Sequence, residues 1–339
     1  MRVRICTTCL LWLCLQPITG LTGTITDLFE GEAPIDNLRA DSRAPAIRAA
    51  LGIVLVKLTG NRYAAADPAL QPLLQRADSY MLEYKLNTEA KLLSVRFDED
   101  TLSRDLRGLG LALWSKERPS TLVWLVITDT TGAQILGLEG NPGYITTVER
   151  RARQRGIDLN WPLLDLEDSA KLKPDDIRGG AMQAVLNASS RYPVESILSG
   201  AVESPAPGIW VGQWTGYIQG NSQTWRTEGE SVDIAIGDGI DRMADLLAAT
   251  FNQNKAQGQD SVSITVTDIN NIDQYAATLK YLQSLSSVSQ VLVSHVSAGE
   301  VTFTLLAHGG CPAVAQAIEL GRKLLPGSPG ACTRYQLLP

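Results

Sequence analysis

The stretch TLVWLVI, residues 121–127, sets the class of fold, because it is apolar at every position after its first threonine. A continuous apolar run of this length predicts a strand. The stretches that begin at Gly143 and at Pro174 are predicted as helices.

Further strands complete the sheet around this run. They are expected at residues 161–166, 195–203, 208–218 and 223–236. The last two are joined at Gly220-Asn221, which is typical of a hairpin turn, and a helix over 240–251 follows them. Helices that alternate with strands predict an α/β domain with a mixed sheet, which we place at residues 115–252.

The region before this sheet has a different pattern. Apolar residues recur at the spacing of one helix face from Ile47 to Leu58, and Gly60 is expected to end that helix. Strand candidates follow at 80–86 and 91–97. The combination of helices and strands in this region predicts an α+β domain, which we place at residues 24–114.

The last part of the chain alternates in an ordered way. Residues 253–260 are polar and lack an apolar period, so they are predicted to be a linker. The order strand, helix, strand, strand, helix, strand over residues 261–339 predicts a ferredoxin-like βαββαβ domain. The whole chain is therefore expected to be an α+β and α/β multidomain protein.

Residues 1–23 have the pattern of a secretory signal peptide. Arg2 and Arg4 form a basic start, the apolar run ICTTCLLWLCL follows, and Gly20 and Gly23 are small residues at which cleavage is expected. The run is too short to cross a bilayer as a helix, and no later segment approaches the roughly 20 apolar residues that a crossing needs. The sequence thus predicts an exported, soluble protein with no transmembrane segment after the signal is removed.

Charge and missing motifs restrict the possible ligands. The formal net charge of -6 becomes -8 when Arg2 and Arg4 leave with the signal, and an acidic protein binds nucleic acid poorly. GxxxxGK[ST], GxSxG and HExxH are absent. Gly237 and Gly239, expected between a strand and a helix, fit only the first part of a dinucleotide loop, since Arg242 replaces its third glycine. We predict no nucleic-acid partner, no cofactor and no metal.

An acidic turn is expected after the strand at residues 163–166. Asp165 ends the strand, and Glu167 and Asp168 follow it, at the carboxyl end where open α/β sheets usually bind their ligands. Paired carboxylates serve as a general acid and base or hold a divalent cation. No histidine accompanies these acids, and Asp168 is an ordinary turn residue. We expect a structural role for them, and an active site is the alternative.

Arg151, Arg155, Trp210 and Trp214 are the candidate ligand-binding residues. The arginines lie in the last turns of a helix that ends at Gly156, where cations offset the helix dipole and where an anion could also be held. The two tryptophans fall on one face of a strand. If exposed, their indoles would stack on sugar rings or on a peptide, but we expect them to be buried as core.

Cys311 and Cys332 are the cysteines outside the predicted signal. An oxidising compartment favours a disulfide between them. A helix is expected to separate them by roughly 20 Å, whereas a bridge needs Cα atoms within about 7 Å. The loop at residues 326–331 could return the chain, so the sequence leaves the bridge open.

Four stretches together carry a resemblance to a known family. They are LGIVLVKLTGNR, RPSTLVWLV, RARQRGIDLNWPLLDLED and ASSRYPVESILSG. The chain resembles the proteobacterial domain-of-unknown-function family 2066 over nearly its whole mature length, and the arginine-glycine-to-acid stretch is the most specific part. The middle region is also similar in topology to small α/β domains of periplasmic envelope-assembly proteins. The resemblance implies a Gram-negative periplasmic protein and supplies no catalytic residues.

The leading expectation for function is a non-catalytic binding or assembly module of the cell envelope. Its partner would be another envelope protein or a glycan. It rests on the signal peptide, the modular layout and the missing catalytic motifs. The alternative is an acid/base or cation-dependent hydrolase that uses the acidic turn, and the second alternative is a glycan-binding module that uses the two tryptophans. The sequence predicts no oligomeric state.

Overall fold

The part of the chain that can be described covers several ranges. The computed structural model describes residues 27–35, 40–111, 113–114, 116–130, 132–251, 259–328 and 332–338. The predicted signal peptide and most of the predicted linker lie outside these ranges. Within them, three sheets with packed helices give the multidomain α+β and α/β architecture that the sequence predicts. No helix of this part is both long enough and apolar enough to span a membrane.

The first sheet is antiparallel and packs on one long helix. Its strands are β1 (Glu30–Pro34), β2 (Met81–Asn87) and β3 (Leu92–Phe97), in the order β1-β3-β2, and its helices are α1 (Ala40–Thr59), α2 (Gln71–Gln75) and α3 (Glu99–Gly108). A Cβ atom on Gly31 would lie 2.1 Å from the carbonyl oxygen of Ala50, so glycine allows β1 to approach α1. Gly60, with a φ of +72°, follows α1 as predicted.

The second sheet lies between two layers of helices. Its strands are β4 (Ser120–Asp129), β5 (Gly132–Ile135), β6 (Asp158–Asn160), β7 (Ser196–Ala206), β8 (Ile209–Ile218) and β9 (Asn221–Gly229). Its helices are α4 (Pro142–Arg155), α5 (Leu166–Lys171), α6 (Pro174–Arg178), α7 (Met182–Ser189) and α8 (Val232–Phe251). The order is β5-β4-β7-β8-β9, with β6 also beside β4, and β4 pairs in parallel with β7. The apolar run predicted as a strand lies in β4, whose core is buried on both faces.

Of the strands predicted for this sheet, one is absent and one ends earlier than expected. Residues 161–166 form no strand, because the Asp165 side chain caps α5 and so begins a helix there. The strand expected over 223–236 stops at Gly229, and α8 begins at Val232. Gly237 and Gly239 therefore lie inside a helix and form no phosphate-type turn.

The third sheet follows the predicted βαββαβ order with one addition. Its elements are β10 (Gln259–Ile269), α9 (Ile272–Ser284), β11 (Val288–Ser297), β12 (Gly299–His308), α10 (Gly310–Gly321), β13 (Leu324–Pro326) and β14 (Arg334–Leu337). The order is β11-β12-β10-β14-β13. The added strand β13 forms an antiparallel pair with β14, and β14 consequently runs parallel to β10.

Buried guanidinium groups join the first sheet's helix to the second sheet. Arg118 donates from Nη2 to the carbonyl of Lys57 at 2.8 Å, and its guanidinium lies 3.5 Å from the ring centroid of Trp114. Arg155 donates to the carbonyl of Gly60 at 3.2 Å. One carbonyl in the last turn of α1 and the carbonyl of the glycine that follows the helix are thus bonded by arginines that come later in the chain.

Candidate functional site

Two of the candidate carboxylates are held by cations and by a helix start. Asp165 Oδ1 accepts the N–H of Asp168 at 3.0 Å, and both Asp165 oxygens accept from Arg191 Nη1 at 2.8 Å. Glu167 accepts from Lys171 Nζ at 2.8 Å. The pKa of Asp165 is lowered mainly by the N–H of Asp168 and secondly by Arg191. The pKa of Glu167 is lowered mainly by Lys171 and secondly by Arg191. Neither carboxyl therefore carries the proton at neutral pH that a general acid needs.

The third carboxylate, Asp168, is buried and fixes the loop before α5. It accepts the N–H of Leu164 at 2.9 Å and the O–H of Tyr192 at 2.5 Å. The hydroxyl oxygen of Tyr192 in turn accepts the N–H of Leu163 at 2.9 Å. Burial and the bond to Asp168 raise the pKa of Tyr192 to about 12. These bonds hold Leu164 at a φ of +53°, a left-handed conformation that is costly for leucine.

A cavity of about 300 Å³ lies beneath this loop. Its apolar wall consists of Trp124, Ile135, Leu164, Leu172 and Pro174, and its polar side consists of Asp168, Ser169 and Lys173. The indole of Trp124 is fully buried and donates from Nε1 to Ser189 Oγ at 2.9 Å, which fixes the back of the cavity. The volume reaches the lower end of the range for ligand pockets, which starts at about 300 Å³.

Exposed leucines occur on the two segments that border this cavity. Leu138, Leu163 and Leu166 are 68, 67 and 91% exposed, and we name them the leucine rim. The segments are in contact, because a Cβ atom on Gly137 would lie 2.6 Å from Cδ1 of Leu164. Exposed apolar side chains beside an apolar cavity are typical of a binding surface.

Arg151 and Arg155 are paired with acids of α8. Arg151 Nε lies 2.8 Å from Asp241 Oδ1, and Arg155 Nη2 lies 2.7 Å from Asp245 Oδ1. The Arg155 side chain is buried, and its second contact is the carbonyl of Gly60. Aspartates of the protein thus pair with both candidate arginines, and these contacts join α4 to α8 and to the glycine that follows α1.

Trp214 belongs to the core, as expected for a buried indole. Its Nε1 donates to Thr227 Oγ1 at 2.9 Å, and Cβ atoms on Gly200 or Gly239 would collide with its ring. Trp210 is half-buried against the same core. A sugar cannot stack on the buried ring of Trp214, so this pair does not form the stacking surface of the glycan-binding alternative.

A disulfide joins Cys311 to Cys332, with Cα atoms 5.7 Å apart. The sequence leaves open whether these two cysteines are close enough to be bridged, and the positions of β13 and β14 explain how they are brought together. The chain turns back after β13, and Cys332, just before β14, lies beside the first turn of α10, which contains Cys311.

The acidic turn and the group formed by Arg151 and Arg155 are each completed by residues that are distant in the sequence. Local sequence patterns do not identify these distant residues. Arg191 and Tyr192 complete the acidic turn, while Asp241 and Asp245 complete the arginine cluster. Among the residues described, no three or more His, Cys, Asp or Glu side chains are arranged to hold a metal ion. The positive group that lies between Asp165 and Glu167 is the guanidinium of Arg191.

Comparison with known proteins assigns an uncharacterised domain to the first part of the chain. A family model described as a domain of unknown function (DUF8605) matches residues 23–115, which include the first sheet and its helices. No curated protein matches the chain. The cavity and the leucine rim lie outside the matched residues.

Proposed function

We propose that this protein is a soluble, periplasmic, non-catalytic binding or assembly module of the Gram-negative cell envelope. Its partner is a protein that inserts an apolar side chain into the cavity beneath the 161–165 loop and covers the leucine rim. The observation that carries this proposal is the 300 Å³ cavity beside three exposed leucines.

The chemistry of the cavity supports an apolar side chain as the occupant. Trp124, Leu164 and Leu172 supply apolar wall, and burying one aliphatic or aromatic side chain contributes roughly 1.5–3 kcal/mol. A central pocket that is surrounded by water-excluding contacts is the usual form of a binding hot spot. In the proposed complex the rim leucines would be the contacts that exclude water.

The state of the acidic turn supports a non-catalytic role. Asp165 caps α5, Glu167 is paired with Lys171, and Asp168 accepts hydrogen bonds from the loop and from Tyr192. A hydrolase would need carboxylates that converge on an open site with separated pKa values. No observation favours the hydrolase alternative over binding.

The periplasmic location is supported by the signal-peptide pattern of residues 1–23 and by the disulfide, which is typical of oxidising compartments. We also propose that this chain is related to domain-of-unknown-function family 2066. Cell fractionation followed by amino-terminal sequencing tests the location: we expect a periplasmic chain that begins after Gly20 or Gly23. A cytoplasmic chain that retains Met1 would contradict it.

Photo-crosslinking in cells tests the binding surface. A benzophenone amino acid in place of Leu163 should give a discrete adduct with a partner protein under ultraviolet light. The matched control is the same replacement at Leu82, which is 62% exposed on β2 and distant from the cavity in sequence and sheet. Adducts of equal yield from both positions would contradict the proposal.

A blocking variant separates the cavity from the surface around it. Ser169 lines the cavity but is itself exposed, so Ser169→Phe should fill the entrance without disturbing the core. We expect this variant to lose the Leu163 adduct and to keep the unfolding temperature of the parent chain. An adduct that persists at full yield would show that no partner side chain enters the cavity.

A further inference from the structure

We propose that β11 is a self-association edge: it pairs antiparallel with β11 of a second copy, so that the third sheet continues across a twofold axis. This surface is separate from the cavity of the proposed function. It belongs to a different sheet, and its test does not depend on any other partner.

The first observation is a comparison of the edge strands in the described part of the chain. Edge strands expose unpaired backbone groups, and proteins usually protect them with charge, with proline or by keeping them short. The other edges follow this rule: β1 has Glu30, Glu32 and Pro34, β2 has Glu83 and Lys85, β9 has Arg226 and Glu228, β5 has 4 residues, and β6 and β13 have 3 residues each.

β11 has no charged residue, no proline and no short length to protect it, and its two bulges are the protection of this kind that it carries. It is 10 residues long, VSQVLVSHVS, and contains no acidic residue, lysine, arginine or proline. It pairs on one side with β12, and it is the end strand of its sheet. Two bulges, at Ser289 and Ser294, interrupt its pairing with β12 and leave a regular central segment between them.

The second observation is the symmetry of its sequence, which indicates a second copy as the occupant. In an antiparallel pair about a twofold axis at Leu292, each residue faces the one at the same distance on the other side of Leu292. Within the regular segment Val291 then faces Val293. Beyond the bulges the sequence keeps the same symmetry, with valine at 288 and 296 and polar residues at 289, 290, 294 and 295. Leu292 faces itself. No charge meets a like charge, which would be unfavourable in directly opposed positions.

The third observation is the exposure of apolar side chains on this strand. Leu292, Val293 and Val296 are 48, 40 and 62% exposed, although valine and leucine are usually buried in sheets. Their side chains lie on both faces of the strand, since Leu292 is opposite Thr304 and Val293 is opposite the buried Phe303. A second copy of β11 would place cross-strand neighbours beside these side chains on each face of the sheet.

Analytical ultracentrifugation of the purified full-length mature protein tests the proposal. We expect twice the monomer mass at micromolar concentrations. Leu292→Lys places two ammonium groups opposite each other at the axis and should raise the dimer Kd by about tenfold or more. Leu82→Lys, the same change on the charged edge strand β2, is the control and should leave Kd unchanged. A monomeric parent protein at these concentrations overturns the proposal.

Cysteine crosslinking tests the register and does not depend on the effect of lysine on folding. Directly opposed residues have Cα atoms about 4.5–5.5 Å apart, which suits a disulfide. Leu292→Cys should therefore form a reducible dimer under mild oxidation. Ser297→Cys, on the same strand, should not, because its two copies would lie roughly 30 Å apart along the strand. Equal crosslinking at both positions, or none at Leu292→Cys, overturns the proposal.

Discussion

Gly239 and Trp214 are in direct contact: a Cβ atom on Gly239 would lie 2.2 Å from Cε2 of the indole. The glycine belongs to α8 and the tryptophan to β8, so the bare helix backbone forms the surface on which the indole lies. This contact sets the distance between α8 and the second sheet.

Gly239→Ala should therefore destabilise the protein by roughly 1–3 kcal/mol, because the added methyl must push α8 away from the sheet. The control is Gly237→Ala in the same helix, whose new Cβ atom would meet only Arg151 Nε at 3.7 Å. That variant should be neutral or more stable by up to about 1 kcal/mol, since alanine favours helix. Urea midpoints measure both, and equal shifts would contradict the contact.

Asp241→Ala should destabilise the junction of α1, α4 and α8. Asp241 is buried and bonded to Arg151, and its loss leaves the buried Arg155 with less compensating charge. Removing one partner of a buried ion pair costs about 3–5 kcal/mol. The exposed pair of Arg226 and Glu228 supplies the control, and Arg226→Ala should change the unfolding free energy by less than about 1 kcal/mol. Comparable losses in both variants would argue against the buried network.

Reduction of the Cys311–Cys332 bridge should lower stability by about 3 kcal/mol, because the bridge closes a loop between residues 21 positions apart. Urea unfolding with and without a reducing agent measures this difference. A protein with both cysteines replaced by alanine is the control, and its unfolding curve should not respond to the reducing agent. A response of equal size in that protein would assign the effect to something other than the bridge.

Asp165→Asn should make the free energy of unfolding depend less steeply on pH at acidic pH. The pKa of Asp165 is lowered in the folded protein by the N–H of Asp168 and by Arg191. A carboxyl of this kind adds stability above its unfolded pKa of about 3.9, and that stability is lost as the pH falls through the folded pKa. Below about pH 4 the parent protein should lose stability more steeply than the variant. Identical slopes in urea titrations at a series of acidic pH values would contradict this assignment.

The fold was predictable where local pattern and burial agree. The apolar run of β4 requires two covering layers, and the structure places helices on both of its faces. Gly60 ends α1 as expected, since its left-handed backbone suits a helix end.

Local patterns failed where a distant residue determines the conformation. The run at 161–166 is apolar enough for a strand, yet Asp165 begins a helix, and Tyr192, 24 positions beyond Asp168, secures the loop. Gly237 and Gly239 suggest a turn by composition, but Gly239 is needed because Trp214 lies against it. Neither partner is visible within a window of neighbouring sequence.

The arginines that bond the end of α1 also affect how the chain can be divided. The segment matched by the family model stops at residue 115, just before Arg118, whose guanidinium bonds Lys57 and stacks on Trp114. A fragment cut at that boundary would retain the first sheet and its core, and the Leu58 carbonyl would keep the N–H of Trp114, but the Lys57 carbonyl would lose the guanidinium that bonds it. An expression fragment of this region should extend through Arg118, and it would still lack the hydrogen bond that Arg155 donates to Gly60.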